Sequence, residues 1–161
     1  MTTCTNKTKL QQLTEFLLSS LTPIVKKNDI DAWQERGTLL LSGEDTGKNS
    51  YQIAKWKYTA VIAIENFAHR EVNPYNVLAM VAAYLIDNDE ERDTYNLDDP
   101  EIDVDIISRD NATVIIEVML IDNIELIPDP KGPILFNGER YYVSAVDFDI
   151  ADIVDVAIKR K

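Results

Sequence analysis

Groups that commonly do chemistry in enzymes are scarce in this sequence. Its 161 residues include one cysteine, Cys4, and one histidine, His69. A single cysteine cannot close an internal disulfide, and one histidine without a cysteine cluster supplies no zinc site. We therefore expect no metal centre, and we expect the chain to occupy a reducing cytoplasm or a particle assembled there.

Motifs for nucleotide binding and nucleophilic catalysis are missing as well. The sequence contains no G-x-G-x-x-G, G-x-x-x-x-G-K-[ST] or G-x-S-x-G pattern. Asp103 and Asp105 alternate along an expected strand and so share a face, but nothing sets one apart as an acid and the other as a base. A hydrolase built on these two carboxylates is the function that the sequence favours least. We expect no enzyme and no cofactor.

Long apolar runs are also lacking. No stretch approaches the roughly 18 consecutive apolar residues of a transmembrane helix, and residues 1–7 lack the apolar core of a secretory signal. Apolar residues make up 45% of the chain and charged residues 27%, which is ordinary for a globular protein. We expect one domain with room for an appendage, and no membrane contact.

Positive charge is in short supply. The chain has 28 acidic residues against 16 lysines and arginines, a net charge of −12, and ten carboxylates with one cation lie between Asp87 and Asp105. Nucleic-acid binding depends on clustered cations that release phosphate counterions, so this composition argues against it. Three readings stay open for the acidic segment: a solvated loop that aids solubility, a face to which passing DNA does not adhere, or a calcium site. For the last of these, residues 87–91 lack the glycine turn and terminal glutamate of an EF-hand loop.

Apolar spacing predicts two helices and two pairs of strands. Leucines three and four residues apart predict a helix over 7–21, and Asn73-Pro74 predicts the start of a second over 74–86. Strict alternation predicts a strand over 51–65, beside one or two short strands within 30–42. Segments 102–107 and 112–121 alternate on either side of a tight turn and predict a hairpin.

Prolines mark a break near residue 128. Pro128, Pro130 and Pro133 separate an expected main domain, 1–127, from a C-terminal extension, 128–161. Asn137-Gly138 predicts a hairpin turn in that extension, and the apolar residues beyond Asp147 fit neither a helix nor a strand period. The expected fold class is α+β, with a mixed or antiparallel sheet packed by two main helices, followed by the hairpin and an extended arm.

Aromatic and apolar side chains outside the expected core are candidates for protein contacts, because such residues dominate binding interfaces. Trp56 and Tyr58 are better explained by the core, whereas Trp33 follows an acidic stretch and is open to either reading. The candidate interface residues are Trp33, Tyr141, Tyr142, Phe148 and Ile150.

Several segments together resemble a known family from residue 9 to about 127. They are the helix Lys9–Leu17, the segment Ile30–Gly37, the strand Lys57–Phe67 continuing into Val77–Leu85, and the pair Val104–Ile107 and Val114–Leu120. In this order they resemble the tail completion protein R family of contractile-tailed bacteriophages. Where that family usually has a proline-containing helix, often with a tryptophan, this chain has Ala82-Ala83-Tyr84.

The resemblance implies a structural protein of the virion. Such proteins look like tail terminators that sit at the head-proximal end of the tail, stop tube polymerisation and prepare the tail for head joining, after assembly in the host cytoplasm. The implied partners are further copies in a hexameric ring, the tail tube protein, and possible contacts to sheath and head–tail connector, with DNA passing through unbound.

If such a ring surrounds DNA, the acidic segment could line its central hole. The candidate lumen-facing residues are Asp87, Asp89, Glu90, Glu91 and Asp93. The alternative function is a small acidic binding module, such as a DNA mimic that inhibits another protein.

Overall fold

The computed structural model describes residues 7–47 and 50–144. Its elements follow in chain order. They are helix α1 (Lys9–Leu21), a 3₁₀ turn (Lys27–Asp29), strands β1 (Ile30–Asp45) and β2 (Tyr51–Phe67), helices α2 (Pro74–Asn88) and α3 (Glu91–Thr94), and strands β3 (Glu101–Ile106), β4 (Ala112–Pro128), β5 (Ile134–Phe136) and β6 (Glu139–Val143).

Side-chain caps fix where the two longer helices begin. Thr8 accepts a hydrogen bond from the Gln11 amide at 3.0 Å, and the Gln11 side chain accepts one from the Thr8 amide at 2.8 Å, which closes a capping box on α1. Asn73 accepts from the Tyr75 amide at 3.0 Å, with Pro74 in the first turn of α2. The start of α2 is as predicted, whereas α1 begins two residues after the predicted start at residue 7.

Six antiparallel strands form one sheet in the order β1-β2-β4-β6-β5. β1, β2 and β4 are 16, 17 and 17 residues long and lie side by side, so these three strands make up most of the sheet. β3 and β6 share the second edge of β4: β3 pairs with Ala112–Glu117 and β6 with Leu126–Pro128. A gap therefore remains along this edge between Glu117 and Leu126.

The core lies on one face of the sheet. Alternate residues of β2 and β4, among them Tyr58, Ile62 and Ile116, are fully buried there, as the period of two predicted. They pack with leucines of α1 and with Val77, Val81 and Leu85 of α2.

The expected fold class is wrong. Strands make up 47% of the described residues and helices 26%, and the sheet curls into an antiparallel half-barrel with three short helices, in place of an α+β sheet packed by two main helices. The length of β1, β2 and β4 is the physical reason. β1 runs to Asp45 because it stays hydrogen-bonded to β2, and β4 continues to Pro128, seven residues beyond the predicted end at 121.

The C-terminal hairpin is part of the same sheet. Asn137 and Gly138 have φ angles of 52° and 78°, as the predicted turn requires, and Val143 pairs with Leu126 of β4. The predicted arm from Asp147 onward lies outside the described residues, and the boundary between 127 and 128 stays a prediction.

Candidate assembly surface

Helix α2 carries no charge from Pro74 to Ile86. Only Val77, Val81 and Leu85 of this helix are buried. Tyr75 and Ile86 are 75% and 78% exposed, and Ala79, Ala82 and Ala83 are exposed between them. A helix that is apolar on all sides is normally covered on all sides. We call these five exposed residues the α2 strip, and they form an uncovered apolar face on a strongly acidic chain.

A groove of about 620 Å³ runs beside the α2 strip, towards β3. Its apolar lining residues are Leu78, Val81, Ala82, Leu85 and Ile86 of α2, with Leu97, Pro100 and Ile102 from the following segment and β3. Asp89, Glu90, Asp93 and Asp99 supply carboxylates to the lining, and Arg92 is the one cation among its lining residues. We call this the α2–β3 groove.

Arg92 holds the acidic segment against the sheet. Its Nη1 donates to the carbonyl of Met119 at 2.6 Å, and its Nη2 donates to the carbonyl of Asp98. Met119 lies in the gap that β3 and β6 leave along β4, where a strand carbonyl lacks a ladder partner. The guanidinium fills that gap, so the segment that lines one side of the groove is held by hydrogen bonds to backbone carbonyls.

A second set of ion pairs ties α1 to the same segment. Lys9 Nζ lies 2.8 Å from both Asp89 Oδ1 and Glu91 Oε1, and Lys55 Nζ lies 3.1 Å from Glu91 Oε2. The Asp89 side chain is only 3% exposed. Burial alone would raise the pKa of Glu91, but hydrogen bonds from the two lysines hold it below its ordinary value. This arrangement fits a structural clamp.

A smaller cavity of about 350 Å³ separates the start of α1 from β4, and Asp122 and Ser144 are among its lining residues. Asp122 Oδ1 accepts a hydrogen bond from the Lys9 amide at 2.9 Å, and the Tyr58 hydroxyl accepts one from the Leu10 amide at 3.4 Å. Burial raises the pKa values of both Asp122 and Tyr58. Both groups accept hydrogen bonds from amides of the first turn of α1, which have no partner within the helix.

Within 7–47 and 50–144, no three histidine, cysteine, aspartate or glutamate side chains are placed to hold a metal ion. The helices of those ranges are all too short or too polar to cross a bilayer.

The predicted interface residues are scattered. Trp33 lies on β1 opposite Val61 and is half-buried. Tyr141 is 4% exposed and packs edge-on against Tyr51, with ring centres 6.0 Å apart, whereas its neighbour Tyr142 is 40% exposed. Phe148 and Ile150 lie outside the described residues, and all five assignments stay predictions.

The predicted lumen-facing residues lie together, at the end of α2 and in α3. Asp87, Glu90 and Asp93 are exposed, while Asp89 and Glu91 are held in the ion pairs with Lys9. Their position relative to a central hole stays a prediction.

The α2 strip was not predicted from the sequence. The helix over 74–86 was expected, but no role was assigned to its exposed residues. The available signal was the run of thirteen uncharged residues, 74–86, in a chain with 27% charged residues.

Comparison with known proteins places most of the chain in one group. Residues 7–145 match the family model described as P2 phage tail completion protein R (GpR). The chain is also similar to a protein of Haemophilus phage HP1 (strain HP1c1), described as an uncharacterized 19.2 kDa protein in the rep-hol intergenic region. The two are 26% identical over 149 residues, which cover 92% of this chain and 89% of the phage protein. No solved structure matches.

Proposed function

Since the chain belongs to the P2 phage tail completion protein R (GpR) family, we propose that it forms a ring that caps the head-proximal end of the tail tube. The family makes it a structural component of a phage tail. The observation that carries the proposal is the family match over residues 7–145, which takes in every described helix and strand.

The α2 strip supports a role in assembly. An interface that joins unlike faces of identical subunits generates a ring when the rotation between subunits closes. A capping ring also needs one face that binds the end of the tube and a second face to which further tube subunits cannot bind. An uncharged helix face of five exposed residues, on a chain of net charge −12, is the kind of surface that an interface core uses. We assign it to contact with a neighbouring subunit or with the tube protein.

The acidic residues support a role beside DNA. Exposed carboxylates such as Asp87, Glu90 and Asp93 repel phosphate over about 8 Å at physiological salt. A hole lined in this way would let DNA pass without retaining it. In this proposal the tube protein, the sheath and the head–tail connector are the partners, and DNA is not bound.

No step of this function needs a chemical reaction. The ion pairs of Lys9 hold α1 against the acidic segment, and Asp122 accepts a hydrogen bond from the first turn of α1, so a structural role accounts for both. The family itself is structural. We therefore assign the chain a non-enzymatic role.

Electron microscopy of tails assembled without this protein tests the proposal. We expect tails of abnormal length, or tails of normal length that fail to join heads, and restoration of normal particles when the wild-type chain is supplied. Labelling the supplied chain would place it at the end of the tail nearest the head. Normal particles made in its absence, or label at the opposite end, would refute the proposal.

A further inference from the structure

Strand β1 has an edge that pairs with no strand in the described part of the chain. It stands at one end of the sheet, and β2 is its one neighbour there. Register shifts on either side leave residues 36–41 as its regular stretch, which we call the β1 edge. Leu39 and Leu41 are 50% and 83% exposed on it. Proteins usually protect an edge strand with proline or lysine, and the β1 edge contains neither, so it is open to a further strand.

Strand β3 presents a matching edge at the other end of the sheet. Among the described residues it pairs only with β4, and its Val104 and Ile106 are 38% and 56% exposed. Val104 pairs with Val114, whose side chain is buried in the core, and Leu39 pairs with Trp56, which packs against the same core. Paired residues share a face of a sheet, so both edges carry exposed apolar side chains on the core face.

The unused backbone groups of both edges belong to residues whose side chains lie on this face. Met119 directs its carbonyl away from β2, towards Arg92. Hydrogen-bonded and non-bonded pairs alternate along antiparallel strands, so this carbonyl fixes which residues bond on which side of each strand. Carried through the register of β1, β2, β4 and β3, the alternation points the amides and carbonyls of Leu39 and Val104 outward. The two edges can therefore bond to each other with their core faces aligned.

Charges on the opposite face of the sheet are complementary. Arg36 of the β1 edge and Lys57 of the adjoining part of β2 lie there, and neither makes an ion pair within 7–47 or 50–144. Asp103 and Asp105 of β3 lie on that face too, exposed and without an ion pair in the same ranges. The β1 edge itself contains no carboxylate, and Glu35, the nearest along the chain, lies at the register shift.

We propose that the β1 edge of one copy pairs antiparallel with β3 of a second copy, in the register that sets Leu39 opposite Val104. Asp105 then lies opposite Thr38, and the two cations of the opposite face are neighbours of that position. The bulge-free stretch of β1 and the strand β3 are both six residues long, so one edge covers the other.

Pairing of two unlike edges passes from copy to copy in one direction, and it generates a ring when the rotation closes. The pairing rests on the proposed function, since it is the contact that would close the proposed ring. It leaves the exposed carboxylates at the end of α2 and in α3 unpaired, namely Asp87, Glu90 and Asp93.

Disulfide trapping in the purified full-length chain tests the pairing. In a Cys4→Ser background, Thr38→Cys is combined with Asp105→Cys, and the control combines Ser19→Cys on α1 with Asp105→Cys. Opposed Cα atoms of a non-bonded antiparallel pair lie about 4.5 Å apart, which a disulfide spans. We expect a ladder of linked oligomers that forms roughly tenfold faster than in the control, because pairing raises the effective concentration of the two thiols.

Three results would overturn the pairing: equal rates in the two chains, a disulfide closed within one chain, or dimers formed as readily by Thr38→Cys alone. The last would mean that two β1 edges pair with each other. Tails assembled without the protein give a separate result. Abnormal tails together with a failed trap would remove the pairing and keep the proposed function.

Exchanging charges tests the register. Arg36→Glu should raise the dissociation constant for self-association, measured by sedimentation velocity, by roughly fivefold, because repulsion replaces attraction to Asp105. Adding Asp105→Arg to the same chain should restore the dissociation constant. Arg70→Glu, at an exposed turn, changes the net charge equally and should leave it unchanged. Equal weakening by the two glutamates, or no recovery, would contradict the register, and circular dichroism confirms that each variant is folded.

Discussion

Lys9 is the residue on which the contacts around the acidic segment depend most directly. It reaches Asp89 and Glu91 from the first turn of α1, and Asp89 has little access to water. Burial alone would lower the pKa of Lys9, but these hydrogen bonds raise it above its ordinary value. The lysine therefore stays charged at neutral pH and neutralises the buried carboxylate of Asp89. Without Lys9, the cation nearest to this carboxylate among the described residues would be Arg92, whose Nη1 lies 3.4 Å from Asp89 Oδ2.

Replacing Lys9 should destabilise the protein far more than replacing its neighbour Lys7. We expect Lys9→Met to lower the free energy of unfolding by about 2 kcal/mol, below the ~3–5 kcal/mol of a fully buried pair because water still reaches Lys9. Lys7 pairs with Glu15 at 3.0 Å with both side chains 42% exposed, so Lys7→Met should cost at most about 0.5 kcal/mol. Urea denaturation at pH 7 measures both, and equal losses would show that the Lys9 contacts are not a clamp.

Glu91 makes part of the stability depend on pH. Its folded-state pKa lies below the ordinary value of 4.5, so folding favours the ionised carboxylate. That contribution is fully present above pH 4.5 and is lost as the pH falls through the lowered pKa. Because the side chain is 33% exposed, Glu91→Gln should cost less than about 1 kcal/mol at pH 7 and nothing measurable once the wild-type carboxyl is protonated.

The neighbouring residue provides the control for this titration. Glu90 is exposed and has no ion pair in the described part of the chain, so Glu90→Gln should leave the unfolding free energy unchanged between pH 3 and pH 7. The comparison uses urea midpoints at matched ionic strength. A pH-independent loss in the Glu91 variant would mean that packing, and not charge, is what the substitution removes.

The long β1–β2 pair is the element that most distinguishes this fold, and Gly37 lets its strands approach closely. A Cβ at residue 37 would overlap the carbonyl oxygen of Lys57 and crowd the Cα of Tyr58. Gly43, farther along the same strand, has a φ of 67°, but a Cβ added there would have no heavy atom within 4 Å beyond its chain neighbours. One position thus requires glycine for room, and the other for its backbone conformation.

Alanine at these two glycines separates the two requirements. Gly37→Ala should lower the unfolding free energy by about 2–3 kcal/mol, because the neighbouring atoms belong to backbone and cannot rotate away. Gly43→Ala should cost about 1 kcal/mol, the penalty of a positive φ without a clash. Thermal and urea unfolding check the order, and a larger loss at Gly43 would contradict the close approach at Gly37.

Elements were predictable where side chains mark them. The spacing of apolar residues predicted α1, Asn73 and Pro74 predicted the start of α2, and the alternation along β2 predicted the face that carries the core. The lengths of β1 and β4 could not be predicted, because hydrogen bonding to a neighbouring strand extends both strands beyond the residues whose apolar pattern alternates. Nearly all of β1 from Glu35 to Asp45 is exposed, yet it pairs with β2. The α2–β3 groove depends on Arg92 filling a gap in the ladder, which no local pattern encodes.

At the scale of the whole molecule, α2 presents an uncharged exposed face next to the acidic segment that follows it. The acidic segment lies at the end of α2 and along β3, while the remaining exposed part of α2 is uncharged. A subunit built this way can present a charged surface to DNA or solvent and an apolar one to protein. This separation explains how a chain of net charge −12 could pack against copies of itself or a tube without bringing its carboxylates together.

A single charge in the α2 strip should therefore abolish assembly and spare the fold. Ala79→Glu places a carboxylate at the exposed centre of the strip, and Ser19→Glu places the same charge at an exposed position of α1. Both should change the unfolding free energy by no more than about 0.5 kcal/mol, since neither side chain is buried.

Only Ala79→Glu should fail to restore infectious particles to a phage lacking this protein. An unpaired charge buried in an interface costs several kcal/mol per subunit, and every subunit of a ring carries it. Plaque titres and micrographs of the tails supply the measurement. Full activity of Ala79→Glu alongside failure of Ser19→Glu would move the assembly surface from α2 to α1.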